Sequence, residues 1–177
     1  MQLPRLISAI FLFLIFGDSK EDSVIHLSLP SGEDPNGTVR SQRDFVKQMM
    51  KFSWDSYKRY AWGWDELKAN PNRESPNYYS GPRLGATIIG SLDTLLIMNM
   101  TEEFSDARDW VDKHFNLKKV DRDLSLFNTI MRTVGGLLSA FALTDDKMFL
   151  QKARQVMDLS MTAFNTKTGL QLIYNLF

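Results

Sequence analysis

The sequence has no cysteine. Disulfides, thiolate metal sites and cysteine nucleophiles are excluded together. It has only two histidines, His26 and His114, far apart in the chain. A histidine metal cage or a Ser-His-Asp triad is therefore poorly supplied. Neither sign of charge is in excess, with 21 Lys and Arg against 21 Asp and Glu in 177 residues. Binders of duplex nucleic acid normally carry a basic excess, so no nucleic-acid partner is expected. Apolar residues are plentiful, at 44% hydrophobic and 12% aromatic, which excludes an acidic disordered chain. Any chemistry must come from carboxylates, arginine and hydroxyls. The length suits one ordinary domain or the front part of a larger one.

The N-terminal apolar run is short. Leu6 to Phe16 follows Arg5 almost without a polar break. Its eleven residues would rise about 16 Å as a helix, roughly half of a hydrocarbon core. That length fits a signal-peptide core, with Gly17 and Ser19 as the small residues before a cut at Lys20. Residues 1–19 are expected to be a signal peptide or an uncleaved signal anchor, the latter being the only route to a membrane. Residues 20–42 mix Ser, Asp, Glu, Gly and Pro without a period and read as a flexible stem. Asn36-Gly37-Thr38 and Asn99-Met100-Thr101 are glycosylation sequons. With the leader they predict the lumen of the secretory pathway, the product being anchored or secreted.

Helical periodicity begins near Arg43. A first helix over about Arg43–Ala61 has Phe45, Met49, Phe52 and Tyr60 on one face and Lys47, Lys51, Lys58 and Arg59 mostly elsewhere. The second, about Ala86–Met98, carries Ile88, Ile89, Leu92, Leu95, Leu96, Ile97 and Met98 around most of its circumference and is expected to be buried all round. Thr101 can cap a third, striped by Phe104, Ala107, Val111 and Phe115. The fourth, about Leu126–Leu143, is nearly all apolar. The fifth opens at Thr144 or Asp145 and shows Phe149, Ala153, Val156, Ser160 and Phe164 on one face, ending in the turn residues Asn165–Gly169. Amphipathic and apolar helices alternate. A helical toroid needs outer helices wet on one side and inner helices covered on both, whereas a four-helix bundle makes all helices alike. The fifth helix's inner partner would begin near Leu170, so the toroid is expected to be incomplete.

Ionisable groups in apolar helices need a reason. Asp93 stands in the second helix, and Arg132 in the fourth, four residues after Asn128. Asp93 and Arg132 fit either a buried ion pair joining two inner helices or a polar pocket for a polyhydroxylated ligand. Asn128 by itself fits an amide satisfied within a helix interface. Gly135-Gly136 in mid-helix suggests close helix approach. Trp54, Tyr57, Tyr60, Trp62 and Trp64 form an aromatic cluster near Asp65 and Glu66. At helical spacing such residues are more often core than sugar platforms.

Four stretches resemble one family. They are Trp54-Asp55-Ser56-Tyr57-Lys58-Arg59-Tyr60-Ala61-Trp62-Gly63 with Asp65-Glu66-Leu67; Leu84-Gly85-Ala86-Thr87-Ile88-Ile89 running into Ser91-Leu92-Asp93-Thr94-Leu95; Arg132 to Ala140; and Phe164-Asn165-Thr166 with Thr168-Gly169. In this order they resemble the class I α-mannosidases, glycoside hydrolase family 47, from about Arg43 to Phe177. The wording is nearer the endoplasmic reticulum and Golgi processing enzymes than the degradation-enhancing branch. The resemblance implies an all-α fold, an (α/α)7 barrel, of which residues 43–177 would be the N-terminal part. It implies inverting, calcium-dependent removal of α-1,2-linked mannose from high-mannose N-linked glycans. Inversion needs an acid and a base roughly 6.5–9.5 Å apart. The resemblance places the acid, a glutamate, at position 128, where this chain has Asn128. It places an aspartate at position 90, where this chain has Gly90. Arg132 matches an arginine that contacts substrate, and Asp93 is expected beside it as a substrate-binding residue. The calcium-binding threonine belongs to later repeats, so no metal ligand is expected in this chain. The chain as written is expected not to hydrolyse mannosides. Two rival readings are a non-catalytic lumenal glycan-binding or regulatory module and a helical interaction scaffold.

Overall fold

The computed structural model describes residues 32–70, 79–80, 82–119 and 124–164. The leader, the stem up to residue 31, and the turn at Asn165–Gly169 with all that follows lie outside the described residues. The described residues divide into two compact units, 32–119 and 124–164.

The first unit begins with α1, Gly37–Tyr60. It starts six residues before the expected Arg43 because Asn36 caps it, its Oδ1 accepting the Thr38 N–H at 2.9 Å. A two-residue antiparallel ladder follows, β1 Glu66–Leu67 with β2 Tyr79–Ser80. Then come α2, Ala86–Ile97, and α3, Thr101–His114. Asn99, at φ +53°, turns the chain between them. Its N–H donates to the Leu96 carbonyl at 3.0 Å, and that of Met100 donates to Leu95 at 2.8 Å. This is a Schellman closure with asparagine in the left-handed position usually held by glycine. Thr101 is the first residue of α3 rather than its cap: Met100 holds the cap position and makes no side-chain bond.

Lysines set the direction of α1 against α3. Lys47 Nζ donates to the Asn99 carbonyl at 3.0 Å, Lys51 pairs with Glu103 at 2.8 Å, and Lys58 pairs with Asp106. Partner numbers rise together, so α1 and α3 are parallel, with α2 running back against α3. The core between them holds Trp54, Tyr57, Ile88, Ile89, Leu92, Leu95, Ala107, Trp110, Val111 and Phe115.

Two expectations about this unit are corrected. The lysine side of α1 is solvated as read, Lys51 and Lys58 being about half exposed, but it is also the side bonded to α3. The apolar stripe is the exposed one: Phe45 is 62% and Phe52 76% exposed. Helical periodicity groups residues by face but does not say which face meets a neighbour. Nor is α2 covered all round, since Ile97 and Gly90 are exposed.

The second unit is a helical hairpin. Its first helix, α4, spans Leu126–Thr144. It opens with one α-turn at Leu126–Asn128, widens into a π-helical turn at Thr129–Val134, and returns to α-helix at Gly135–Thr144. Ser125 caps it, accepting the Asn128 N–H at 3.3 Å. The second helix, α5, is Lys147–Ser160, continued by a 3-10 turn at Met161–Phe164. Its cap is Asp146, one residue past the expected position, because Asp145 takes φ +58° to close α4. The stripe Phe149, Ala153, Val156 and Ser160 is buried as expected. Gly135 is exposed, and a Cβ there would meet only its own helix's Ile130 carbonyl at 3.9 Å. Close helix approach is therefore not its reason.

Candidate functional site

The π turn is what shapes α4. Its buried residues are Leu126, Thr129, Val134, Leu137 and Ala140. The spacing is three residues except from Thr129 to Val134, where it is five. A π turn adds one residue to a helical turn and often marks a functional segment. Here it returns Val134 to the face that packs on α5. The opposite strip turns outward: Phe127 is 67% and Met131 62% exposed, with Asn128 and Arg132 exposed beside them. The expectation of a nearly all-apolar, covered helix is overturned at these four positions.

Exposure also decides the readings of the polar residues. Asn128 is not an amide packed within a helix interface. Arg132 is not a buried ion. An exposed guanidinium and carboxamide, each offering hydrogen-bond donors and the amide an acceptor as well, form one row of the helix surface, next to the row of an exposed aromatic ring and a thioether. Such a strip can bond hydroxyls and cover apolar C–H faces of one ligand.

Asp93 belongs to the other unit, on α2. It is half-buried, and its Oδ1 accepts from the Thr94 N–H at 2.7 Å and the Thr94 hydroxyl at 3.3 Å. One turn earlier stands Gly90. A Cβ there would meet nothing within 4 Å, so packing does not demand glycine. What glycine does at position 90 is omit a side chain.

The sequence reading missed the clasp that positions α2. Asp65 Oδ1 accepts the N–H groups of Leu84 and Ala86, each at 3.1 Å. The Asp65 carbonyl accepts the Thr87 hydroxyl at 2.6 Å and the Thr87 N–H at 3.2 Å. One residue thus accepts from four donors, among them the open N–H groups of Ala86 and Thr87 in the first turn of α2. Gly85 allows this at φ +66°, with Trp110 packed so closely that a Cβ would lie 2.3 Å from its ring. Gly63, at φ +84°, also approaches the same indole, 2.9 Å from its Nε1 by the same measure. Tyr57 Oη donates to the Trp64 carbonyl at 2.6 Å, and burial pushes its phenol well above the usual range. The aromatic cluster is therefore core at Trp54 and Tyr57, as the spacing favoured. The signal for the clasp was two glycines and an aspartate, legible only as turn chemistry.

Calcium, implied by the resemblance, needs 6–8 oxygen ligands. Among the described residues no three His, Asp or Glu side chains converge on a point. No step is therefore derived through a metal here.

The family "Glycosyl hydrolase family 47" matches residues 49–175. The mannosyl-oligosaccharide alpha-1,2-mannosidase IA of Spodoptera frugiperda is 44% identical over 150 residues, covering 84% of this chain and 22% of that protein. The mannosyl-oligosaccharide 1,2-alpha-mannosidase MNS1 of Arabidopsis thaliana is 46% identical over 138 residues, 78% of this chain and 24% of its own length. The human mannosyl-oligosaccharide 1,2-alpha-mannosidase IC is 41% identical over 160 residues, 90% of this chain and 25% of its own. The chain thus spans about a quarter of the relatives it matches. With the family match covering Trp54 to Gly63, the clasp, the π turn and the α4–α5 hairpin, the chain belongs to glycosyl hydrolase family 47.

Proposed function

We propose that this chain binds the terminal α-1,2-linked mannose of high-mannose N-glycans without hydrolysing it. The relatives are mannosidases by name, which supports an oligosaccharide ligand. The observation that carries the reading is Asn128. It stands, exposed, where the family resemblance puts the catalytic glutamate, and a carboxamide has no proton to release at neutral pH. Losing a positioned general acid costs roughly 10²–10⁴-fold in rate. The same amide can still donate to one sugar hydroxyl and accept from another. Arg132 supplies charged donors beside it, and Phe127 an apolar face. Asp93, on α2 of the other unit, carries a substrate-binding role only as what the family resemblance implies.

The leader, residues 1–19, and the stem, read from the sequence as residues 20–42 although α1 already begins at Gly37, would deliver the folded part that follows to the lumen of the endoplasmic reticulum or Golgi. Asn36 and Asn99, both exposed, are assigned as glycosylation sites. At Asn36 the glycan bond would form at Nδ2 and leave Oδ1 as the cap of α1. Calcium stays an implication of the family, and no role for it is derived from these residues.

The test is a pair of assays on the purified chain. Mannose release from a high-mannose glycan should be undetectable, and measurable release overturns the proposal. Binding to such glycans on an array should weaken about tenfold in Arg132→Ala, the scale of one lost charged hydrogen bond. A folded chain that binds no glycan also overturns it.

A further inference from the structure

A second concave site lies in the first unit, built by the C-terminal end of α1, the residue Trp62 and the second half of α3. It is a shallow, open cleft of about 220 Å³ lined by Lys58, Trp62, Asp106, Asp109, Lys113 and His114, with Trp110 as its base. Neither Asp93 nor any other residue of α2 lines it.

Its base is rigid. Trp110 is only 6% exposed, and the backbones of Gly63 and Gly85 both approach its ring too closely to admit a Cβ without a shift. Trp62 stands edge-on to the buried Trp54, with ring centroids 5.7 Å apart, and forms an aromatic wall. Lys58 lies over that wall, its Nζ 5.9 Å from the ring centroid, and pairs with Asp106. On the other side Lys113 pairs with Asp109 at 2.7 Å. His114 leans on Trp110, centroids 6.0 Å apart.

The charges decide the ligand class. Two ammonium groups and two carboxylates leave the lining near neutrality. A phosphate would meet both carboxylates, and a divalent cation would meet both lysines. A hydroxyl both donates and accepts, so it can join a Lys–Asp pair without leaving either charge unmatched. A ring bearing several hydroxyls on one edge and C–H groups on one face matches two such pairs beside an aromatic wall. We propose that this pocket is an accessory binding site for one neutral hexopyranose unit, free or at the end of a glycan. It is separate from the Asn128 strip and does not rest on that assignment.

The experiment is a titration of the full chain, followed by NMR of the Trp62 indole and the Lys113 and His114 amides. The probes are methyl α-mannopyranoside, N-acetylglucosamine, a mannose oligosaccharide, inorganic phosphate and calcium ion. The neutral sugars should shift these signals with an affinity on the order of 1 mM. Affinity that rises with oligosaccharide length points to a glycan terminus, and equal affinity to a free sugar; both support the site. Trp62→Leu should abolish the shifts. Asp109→Asn, at a half-exposed position, should weaken them about tenfold. Arg132→Ala should leave them unchanged. No shift with any sugar, a stronger response to phosphate or calcium, or loss in Arg132→Ala with retention in Asp109→Asn would each overturn the proposal.

Discussion

The two apolar helices α2 and α4 look alike in sequence and differ in how they are held. The N-terminus of α2 is fixed by a residue 19 positions away in sequence from the first N–H it accepts, with Gly85 wedged on Trp110. The N-terminus of α4 is capped locally by Ser125, and the helix then widens into a π turn. Below the clasp, α2 buries four large aliphatic residues: Ile88, Ile89, Leu92 and Leu95. Around its π turn, α4 exposes Phe127, Asn128, Met131 and Arg132. The same apolar composition thus serves an anchored strut in one unit and leaves an exposed strip in the other. An apolar helix is only a reservoir of faces, and the neighbours it packs against decide which face is given up to solvent.

The largest test of this contrast is Gly85→Ala. A left-handed alanine costs about 1–2 kcal/mol, and overpacking a fixed neighbour about 1–3, so a loss of roughly 2–5 kcal/mol is expected. Thermal melts should show it as a large fall in Tm. A neutral substitution would mean that Trp110 yields and α2 is not clamped. Next come the two caps. Asp65→Ala removes two bonds to backbone N–H groups and should cost about 1–3 kcal/mol. Ser125→Ala removes one long bond and should cost roughly 0.5–1 kcal/mol. Equal effects in denaturant titrations would erase the distinction between the two ends.

The smallest effect belongs to the α1–α3 ladder. The bond from Lys51 holds the Glu103 carboxyl below its ordinary value of 4.5. The unfolded chain therefore takes up this proton first as pH falls. The stabilisation is fully present above about 4.5 and is lost as pH falls through the lower folded value. Glu103→Gln should flatten this part of the pH dependence of Tm and leave α2 and α4 in place. An unchanged acid limb would remove the pair from the stability account.

The five helices of the described residues were legible in the sequence, because hydrophobic spacing of three and four residues is a local property. The stripes on α3 and α5 were buried where the spacing put them, except at Phe104 and Phe164, which are only half-buried. The stripe on α1 was not, since its periodicity is the same whether or not a neighbour covers it. The π turn was hidden for a related reason: only the buried positions Thr129 and Val134, seen together, betray the extra residue. Asp65 gave no local sign of its role, because its partners are backbone N–H groups brought to it by a turn.

The sequence by itself determined the chemical inventory. It has no thiol, no net charge and an asparagine at position 128, and packing cannot convert an amide into an acid. It also determined the family, because several motifs stand in the required order. Only the tertiary structure decided that Asn128 and Arg132 face solvent while two glycine backbones close in on the ring of Trp110. Those outcomes depend on which faces meet, and meeting is a property of distant residues brought together.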